Sequence, residues 1–159
     1  KIMDAINGCS NRSKFDIANL NSPRQIVISG LEEDILLAKN ELEKKQMKCI
    51  TLRVSGAFHS RHMIGANKKF VTFLKEYQLQ KPSKASVVSA TTASRYEDNV
   101  MEILQEHMVK SVNWIKSINY IIDQGAYEFK QIGKTKSLIN LVDDIKFERI
   151  TNKGGSDLI

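Results

Sequence analysis

The chain has 159 residues, with 24 lysines and arginines against 18 aspartates and glutamates, so its formal net charge is +6 at pH 7. Hydrophobic residues make up 42% of it, enough to form a core, which excludes a disordered tail or a fibre. Two cysteines are too few for a disulfide scaffold and no apolar run approaches the ~20 residues of a membrane span, so we expect a soluble, cytoplasmic protein with no membrane contact.

The chain begins with a predicted helix and two predicted strands. A short apolar stripe ends at Gly8, a residue type that commonly terminates helices, so residues 1–7 are predicted to form the last turns of a helix. Apolar segments at 15–19 and 25–28 flank a turn that contains Pro23, and they predict two neighbouring strands. Because residue 1 is Lys and already lies in a helical pattern, we interpret the chain as a fragment of a longer protein.

A second helix and a third strand are predicted next. Ser29 and Glu32 match a capping box, in which the serine oxygen accepts an amide hydrogen bond and the glutamate reaches back. Apolar residues then recur at helical spacing over 31–42. Apolar and polar residues alternate over 50–54, which is typical of a half-buried strand. This order of elements predicts most of a ferredoxin-like small subdomain over residues 1–55, incomplete at its amino terminus.

From residue 56 the pattern changes to helices and short extended segments. Helical spacing predicts four helices, which carry Met63 to Tyr77, Val100 to Met108, Trp114 to Ile122 and Leu138 to Ile145. Short strands are predicted at 87–88 and 127–132, so we expect a parallel, helix-covered sheet in a larger α/β subdomain over 56–150. Residues 151–159 are predicted to be a flexible tail.

The sequence around His59 is the most suggestive of chemistry. This histidine follows the predicted strand at 50–54 on a glycine-containing turn, and active sites gather at the strand ends of parallel sheets. A neutral imidazole there can take a proton from a nucleophile and return it to a leaving group. An isolated histidine is also a common structural residue, so the residues alone leave both interpretations open. His62 has no carboxylate at ligand spacing, and we predict no metal site.

One glycine-containing turn resembles the end of a phosphate-binding P-loop. Gly133 is followed by Lys134 and Thr135, but the motif needs a glycine five residues earlier, where the chain has Glu128. We therefore expect a strand-to-helix turn whose helix amino terminus holds an anion only weakly.

Three lysines, Lys44, Lys45 and Lys48, crowd the end of the second predicted helix. They form either a solvated face that complements the helix dipole or a contact for an acidic or phosphate-bearing partner. Aromatic residues do not interleave with them, so we expect no nucleic-acid binding. No serine lies in a G-x-S-x-G elbow, and the chain therefore offers no persuasive nucleophile of its own.

Two segments resemble motifs of a known family. Residues 19–30 resemble the N-x-N-S-P-x-Q-x-V-I-S-G segment of malonyl-CoA:acyl carrier protein transacylases, the FabD-type acyltransferases. Residues 54–60 resemble their V-S-G-A-F-H-S segment. Weaker matches follow at 112–114 and 131–133, so the resemblance runs in order over 1–145.

The resemblance implies a fold and a reaction. The fold is the carboxy-terminal part of an α/β-hydrolase-like acyltransferase core with a ferredoxin-like small subdomain. The reaction is ping-pong transfer of a malonyl group from coenzyme A to a serine, and then to the phosphopantetheine thiol of acyl carrier protein, in fatty acid synthesis. Malonyl-CoA is then a substrate and no cofactor is bound. We expect a monomer when the protein is intact, and an acidic carrier protein that suits the basic face.

The resemblance also assigns roles to six residues. His59 matches the catalytic histidine, and His107 takes the place of a glutamine whose backbone carbonyl orients that imidazole. The substrate-binding positions are Phe58, whose bulk accompanies malonyl, Lys48, near coenzyme A, and Asn19 and Asn21, which match an asparagine pair that lines the cleft.

The chain departs from the family in several ways. It lacks the G-H-S-L-G-E nucleophile segment, the arginine that pairs with the malonyl carboxylate and the glutamine near the oxyanion hole, which in the family lie upstream. Ser111 replaces the proline of P-V-x-W, and Lys134 with Thr135 replaces P-G. We therefore expect this chain alone to be inactive. The alternatives are a non-catalytic ferredoxin-like module that binds RNA or another anion, and a degenerate acyltransferase scaffold.

Overall fold

The computed structural model describes residues 1–153, in which helices surround a two-stranded antiparallel sheet. The strands are β1 (Phe15–Ser22) and β2 (Gln25–Gly30). The α-helices are α1 (Ile2–Asn7), α2 (Glu32–Lys44), α3 (Ile64–Leu74), α4 (Val100–Glu106), α5 (Trp114–Asp123) and α6 (Ser137–Lys153). Short 3₁₀ turns at Arg12–Lys14 and Arg61–Met63 precede β1 and α3.

The first hydrophobic cluster lies between the β1–β2 hairpin and the helices α1 and α2. Its buried members are Ile6, Cys9, Phe15, Ala38 and Leu42. The apolar side chains of α2 recur on one face, and Ala38 and Leu42 bring that face onto the sheet. Lys45 closes the arrangement, since its ammonium donates to the carbonyl oxygens of Ala5 and Gly8 at 3.1 and 3.0 Å, at the end of α1.

The edge of β1 that faces away from β2 pairs with the segment that follows α4. The Leu20 amide donates to the Val112 oxygen at 2.9 Å, and the Val112 amide donates to the Ala18 oxygen at 2.8 Å. Ala18 lies where the register of the hairpin shifts between Ile17 and Asn19. This pairing anchors the whole segment beyond α4 to the sheet.

The helices α5 and α6 pack on each other around a second hydrophobic cluster. Its buried members are Ile118, Val142 and Ile145, with Trp114 and Phe129 against them. The hydroxyl of Ser22, at the end of β1, donates to a carboxylate oxygen of Asp144 at 3.1 Å and ties α6 to the sheet. None of the helices within 1–153 is long and apolar enough to cross a membrane.

The strand predicted at 50–54 is wrong. The segment has no regular secondary structure, and Ile50 and Val54 are 71% and 64% exposed. The strand predicted at 127–132 is also wrong, and Ile132 is 98% exposed. A strand forms only where a neighbour accepts its backbone hydrogen bonds, and nothing in the described chain does so here. Residues 1–153 therefore contain only the β1–β2 pair of the expected ferredoxin-like subdomain, and the division of the chain at residue 55 stays a prediction.

Other local predictions differ in detail. The capping box is wrong, since Leu31 is the N-cap of α2 and makes no capping side-chain hydrogen bond. The strand at 87–88 is reduced to a single antiparallel bridge from Val88 to Arg95. Of the tail predicted at 151–159, the first three residues belong to α6, and 154–159 lie outside the described residues.

Candidate active site

His59 lies between residues 50–54 and α3, and its backbone adopts a left-handed conformation. Its φ is 59°, a region in which a residue with a side chain costs about 1–3 kcal/mol and persists only where its surroundings hold it. One such contact is the His59 amide, which donates to the Met108 oxygen at 2.9 Å. Another is the buried hydroxyl of Ser60, which donates to the Ala57 oxygen at 2.6 Å and accepts from the His62 amide at 3.3 Å.

The imidazole of His59 is oriented by main-chain oxygens. Its Nδ1 lies 3.0 Å from the His107 oxygen and 3.1 Å from the Lys110 oxygen. Both partners are carbonyls, which only accept, so Nδ1 carries a proton, and in the neutral ring Nε2 keeps its lone pair. The first contact is the one that the resemblance implies between these two residues; its role in catalysis stays a prediction.

The Lys110 carbonyl lies next to a segment that is bonded to β1. The hydroxyl of Ser111 donates to the Ile17 oxygen, and the adjacent Val112 pairs with the strand on both sides. The residue that replaces the family's proline therefore makes a sheet contact of its own. Because of these bonds, one acceptor of the His59 ring, the Lys110 carbonyl, lies beside a segment that is anchored to the sheet, while the other ends α4.

The side chain of His107 lies against His59. The two rings meet edge to face with their centroids 5.6 Å apart. Burial, and after it the proximity of His59, lower the pKa of His107 below its ordinary value, so this imidazole is neutral at pH 7. Its Nδ1 is buried and has no hydrogen-bond partner among residues 1–153.

An open depression of about 610 Å³ lies beside His59. Its walls include the cationic side chains of Arg12, Arg61 and Lys110 and the carboxylate of Asp16. Hydrogen bonds from Arg61 lower the pKa of Asp16 below its ordinary value. Sequence reasoning missed Asp16 and Arg61, and the only available signal was that Arg61 follows His59 by two residues.

The other predicted site residues do not line this depression. Phe58 is 40% exposed, and Lys48 is exposed between the end of α2 and residue 50. The Asn21 amide donates to the Gln25 side chain at 3.1 Å, and Asn19 forms a parallel bridge with Val112. The structure therefore brings together His59 and His107, and the roles of these four residues stay predictions.

The turn that resembles a P-loop is followed by a helix start whose amides already have an acceptor. The Gln131 side-chain oxygen accepts from the amides of Leu138 and Ile139 at 3.1 and 3.3 Å, so the start of α6 is already occupied where the P-loop-like turn precedes it. In the part of the chain that the structure describes, no group of three His, Cys, Asp or Glu residues is arranged to hold a metal ion.

Comparison with known proteins gives several matches, although no protein-family model matches the chain. It is 42% identical over 139 residues to the polyketide biosynthesis malonyl CoA-acyl carrier protein transacylase BaeC of Bacillus velezensis, which covers 84% of the chain and 47% of that protein. It is 36% identical over 133 residues to the malonyl CoA-acyl carrier protein transacylase of Bacillus subtilis, covering 81% and 41%. The solved malonyl CoA-acyl carrier protein transacylase from Clostridium perfringens matches with a TM-score of 0.81 and 30% identity, over 92% of this chain and 46% of that one.

The structural match and the curated relatives show that the chain has the α/β fold of an acyltransferase core. Within that class, the chain belongs to the malonyl CoA-acyl carrier protein transacylase family. The resemblance seen in its motifs is confirmed. The chain spans about half the length of the curated relatives that it matches.

Proposed function

We propose that the intact protein transfers a malonyl group from coenzyme A to the phosphopantetheine thiol of acyl carrier protein. The observation that carries this proposal is the pair of main-chain oxygens on His59 Nδ1, which leaves Nε2 as a proton acceptor. The names of the relatives supply the acyl group and the two carriers. Malonyl-CoA is a substrate in this reaction, and no resident cofactor is needed.

The proposed chemistry is a proton shuttle at Nε2. The nitrogen takes the proton of a serine hydroxyl from a part of the protein outside this chain, and the serine oxygen attacks the malonyl thioester carbon. The carbon–sulfur bond then breaks, and Nε2 gives this proton to the coenzyme A thiolate. The thiol of the carrier protein repeats the sequence in reverse. The carbonyls of His107 and Lys110 stabilise the positive charge that the ring carries in between.

The remaining site residues are assigned to substrate contacts. Phe58 precedes His59 and is partly exposed, which supports a contact with the malonyl group. The exposed Lys48 is suited to the phosphates of coenzyme A, and Asn19 and Asn21 to the cleft wall. We expect the intact protein to be a cytoplasmic monomer.

The experiment is a transfer assay on the intact protein, its His59→Ala variant and the isolated chain. The variant should lose about 100-fold or more of kcat, since a general base is removed, while the isolated chain should be inactive. Exposed His62 provides the matched control, because His62→Ala should retain activity. An intact protein that binds RNA tightly and ignores malonyl-CoA would contradict the proposal, as would one that stays inert.

The carrier protein has two candidate sources. Fatty acid synthesis is the expectation from the family resemblance, but the relative at 42% identity is named for polyketide biosynthesis, against 36% for a relative without that word in its name. Comparing kcat/KM for carrier proteins of the two pathways separates them. A preference of about 10-fold or more for the polyketide carrier would assign the protein to that pathway.

A further inference from the structure

The turn that carries His59 is anchored a second time, two residues beyond the histidine. The Arg61 amide donates to Asp16 Oδ2 at 2.8 Å, and the guanidinium Nε lies 3.1 and 3.0 Å from Oδ1 and Oδ2. The guanidinium Nη2 also donates to Oδ1, and Nη1 donates to the Ser13 oxygen at 3.2 Å. One carboxylate of β1 thus receives both the main chain and the side chain of a single residue of the turn.

This contact differs from an ordinary surface ion pair, which contributes little to stability. The Asp16 side chain is 24% exposed, and the bidentate geometry fixes the orientation of the guanidinium plane. The bond to the Arg61 amide also fixes a peptide group rather than the end of a flexible side chain. The contact therefore restrains the backbone close to His59.

The His59 turn and the segment that follows one of its ring acceptors are consequently both bonded to β1. One acceptor of the ring, the Lys110 carbonyl, directly precedes Ser111 and Val112, which are bonded to β1. The histidine itself is held, through Arg61, by Asp16 on the same strand. A change in the Asp16–Arg61 contact would thus move the ring relative to its two carbonyl partners.

We propose that Asp16 and Arg61 are positioning residues for His59. The Asp16 carboxylate straps the turn to β1, keeps Nδ1 aligned with the oxygens of His107 and Lys110, and so sets the direction in which Nε2 points. The effect on turnover rests on the proposed transferase function. The effect on the ring does not, and it is measured separately.

The kinetic test uses Asp16→Ala, Arg61→Ala and the double variant in the intact protein. Misplacement of the base should lower kcat by about 10-fold to 100-fold and change KM for malonyl-CoA by less than about twofold. The kcat of the double variant should be no lower than that of the less active single variant, since the two residues act as one unit. The matched control is Lys81→Ala, which removes the exposed pair of Lys81 with Glu97 and should have no effect.

Two conservative variants keep the test valid if the alanine variants fold poorly. Asp16→Asn retains an oxygen for the Arg61 amide, and Arg61→Lys retains the amide and one cationic donor, so both should have intermediate kcat values. Thermal unfolding of each variant separates a positioning effect from a loss of fold. Equal kcat in all variants and in Lys81→Ala would overturn the proposal.

The second readout is the ¹⁵N spectrum of the His59 ring. The wild type should show the Nδ1–H tautomer, and Arg61→Ala should show a mixture of tautomers, whereas Lys81→Ala should match the wild type. An unchanged ring spectrum in Arg61→Ala would overturn the positioning role. An intact protein without transferase activity whose ring spectrum responds to Arg61→Ala would support the strap and contradict only the proposed function.

Discussion

The ring of His59 depends on main-chain oxygens, so the side chains that supply those oxygens are free to vary. His107 contributes its carbonyl, at 3.0 Å from Nδ1, while its imidazole lies beside the His59 ring. A glutamine in the same place would offer the same carbonyl. The histidine found in this chain therefore offers the same acceptor to His59 and adds a second, partly buried imidazole to the site.

That second imidazole makes the stability of the fold sensitive to acid. Burial and His59 lower the pKa of His107 in the folded state, so the unfolded chain binds the proton more tightly. The neutral side chain imposes no penalty above the unfolded pKa of about 6.5, and stability is lost as the pH falls from there through the folded pKa. His107→Gln should reduce this loss and leave transfer at pH 7.5 within about threefold, because the carbonyl remains.

The measurement for His107→Gln is urea unfolding at pH 7.5 and pH 5. The free energy of unfolding should fall less between the two pH values than it does in the wild type. His62→Gln is the matched control, since His62 is exposed and its removal should leave the pH dependence as it was. A wild-type pH dependence in His107→Gln would show that burial of this ring does not contribute to acid sensitivity.

At the scale of elements, the helices and the β1–β2 hairpin were predictable, whereas the strands predicted at 50–54 and 127–132 were not. The amphipathic patterns of α2 and α5 depend on residues three and four apart, which are present in any fragment that contains the helix. The segment 50–54 has the alternation of a strand, but alternation specifies only which side chains share a face. Whether a strand forms there depends on a hydrogen-bonding neighbour elsewhere.

Competition between elements explains why the predicted capping box does not form. Ser29 pairs with Asp16 in the β1–β2 hairpin, so its backbone is committed to the sheet and α2 begins after Leu31. The acidic residues of the first turn, Glu32, Glu33 and Asp34, complement the helix dipole in place of a capping hydroxyl. A local motif was thus overridden by a pairing between residues that are distant in sequence.

The candidate site was predictable in the same uneven way. His59 stands out because of the motif around it, and the partnership with His107 follows from the family resemblance. The contact of Arg61 with Asp16 joins residues 45 positions apart. No pattern along the chain links these two residues, and only the path of β1 past the turn brings them together.

For the whole molecule, the exposed apolar segments determine how the isolated chain behaves. Ile50, Val54 and Ile132 are largely in solvent, and each lies in a segment whose backbone groups have no strand partner within 1–153. Exposed apolar edges of this kind favour association with further chains. We therefore expect the isolated 159-residue chain to self-associate and to bind a hydrophobic dye more strongly than the intact protein does.

The test of this expectation uses light scattering and dye fluorescence on the isolated chain and on substituted versions of it. Ile132→Ser and Val54→Thr should each reduce association, because they remove apolar surface without touching either hydrophobic cluster. Thr51→Ser, at an exposed polar position of the same segment, is the matched control and should leave association unchanged. An isolated chain that stays monomeric at about 100 μM, within the micromolar-to-millimolar range where exposed apolar surface drives aggregation, would mean that these segments are covered by other parts of residues 1–153 in solution.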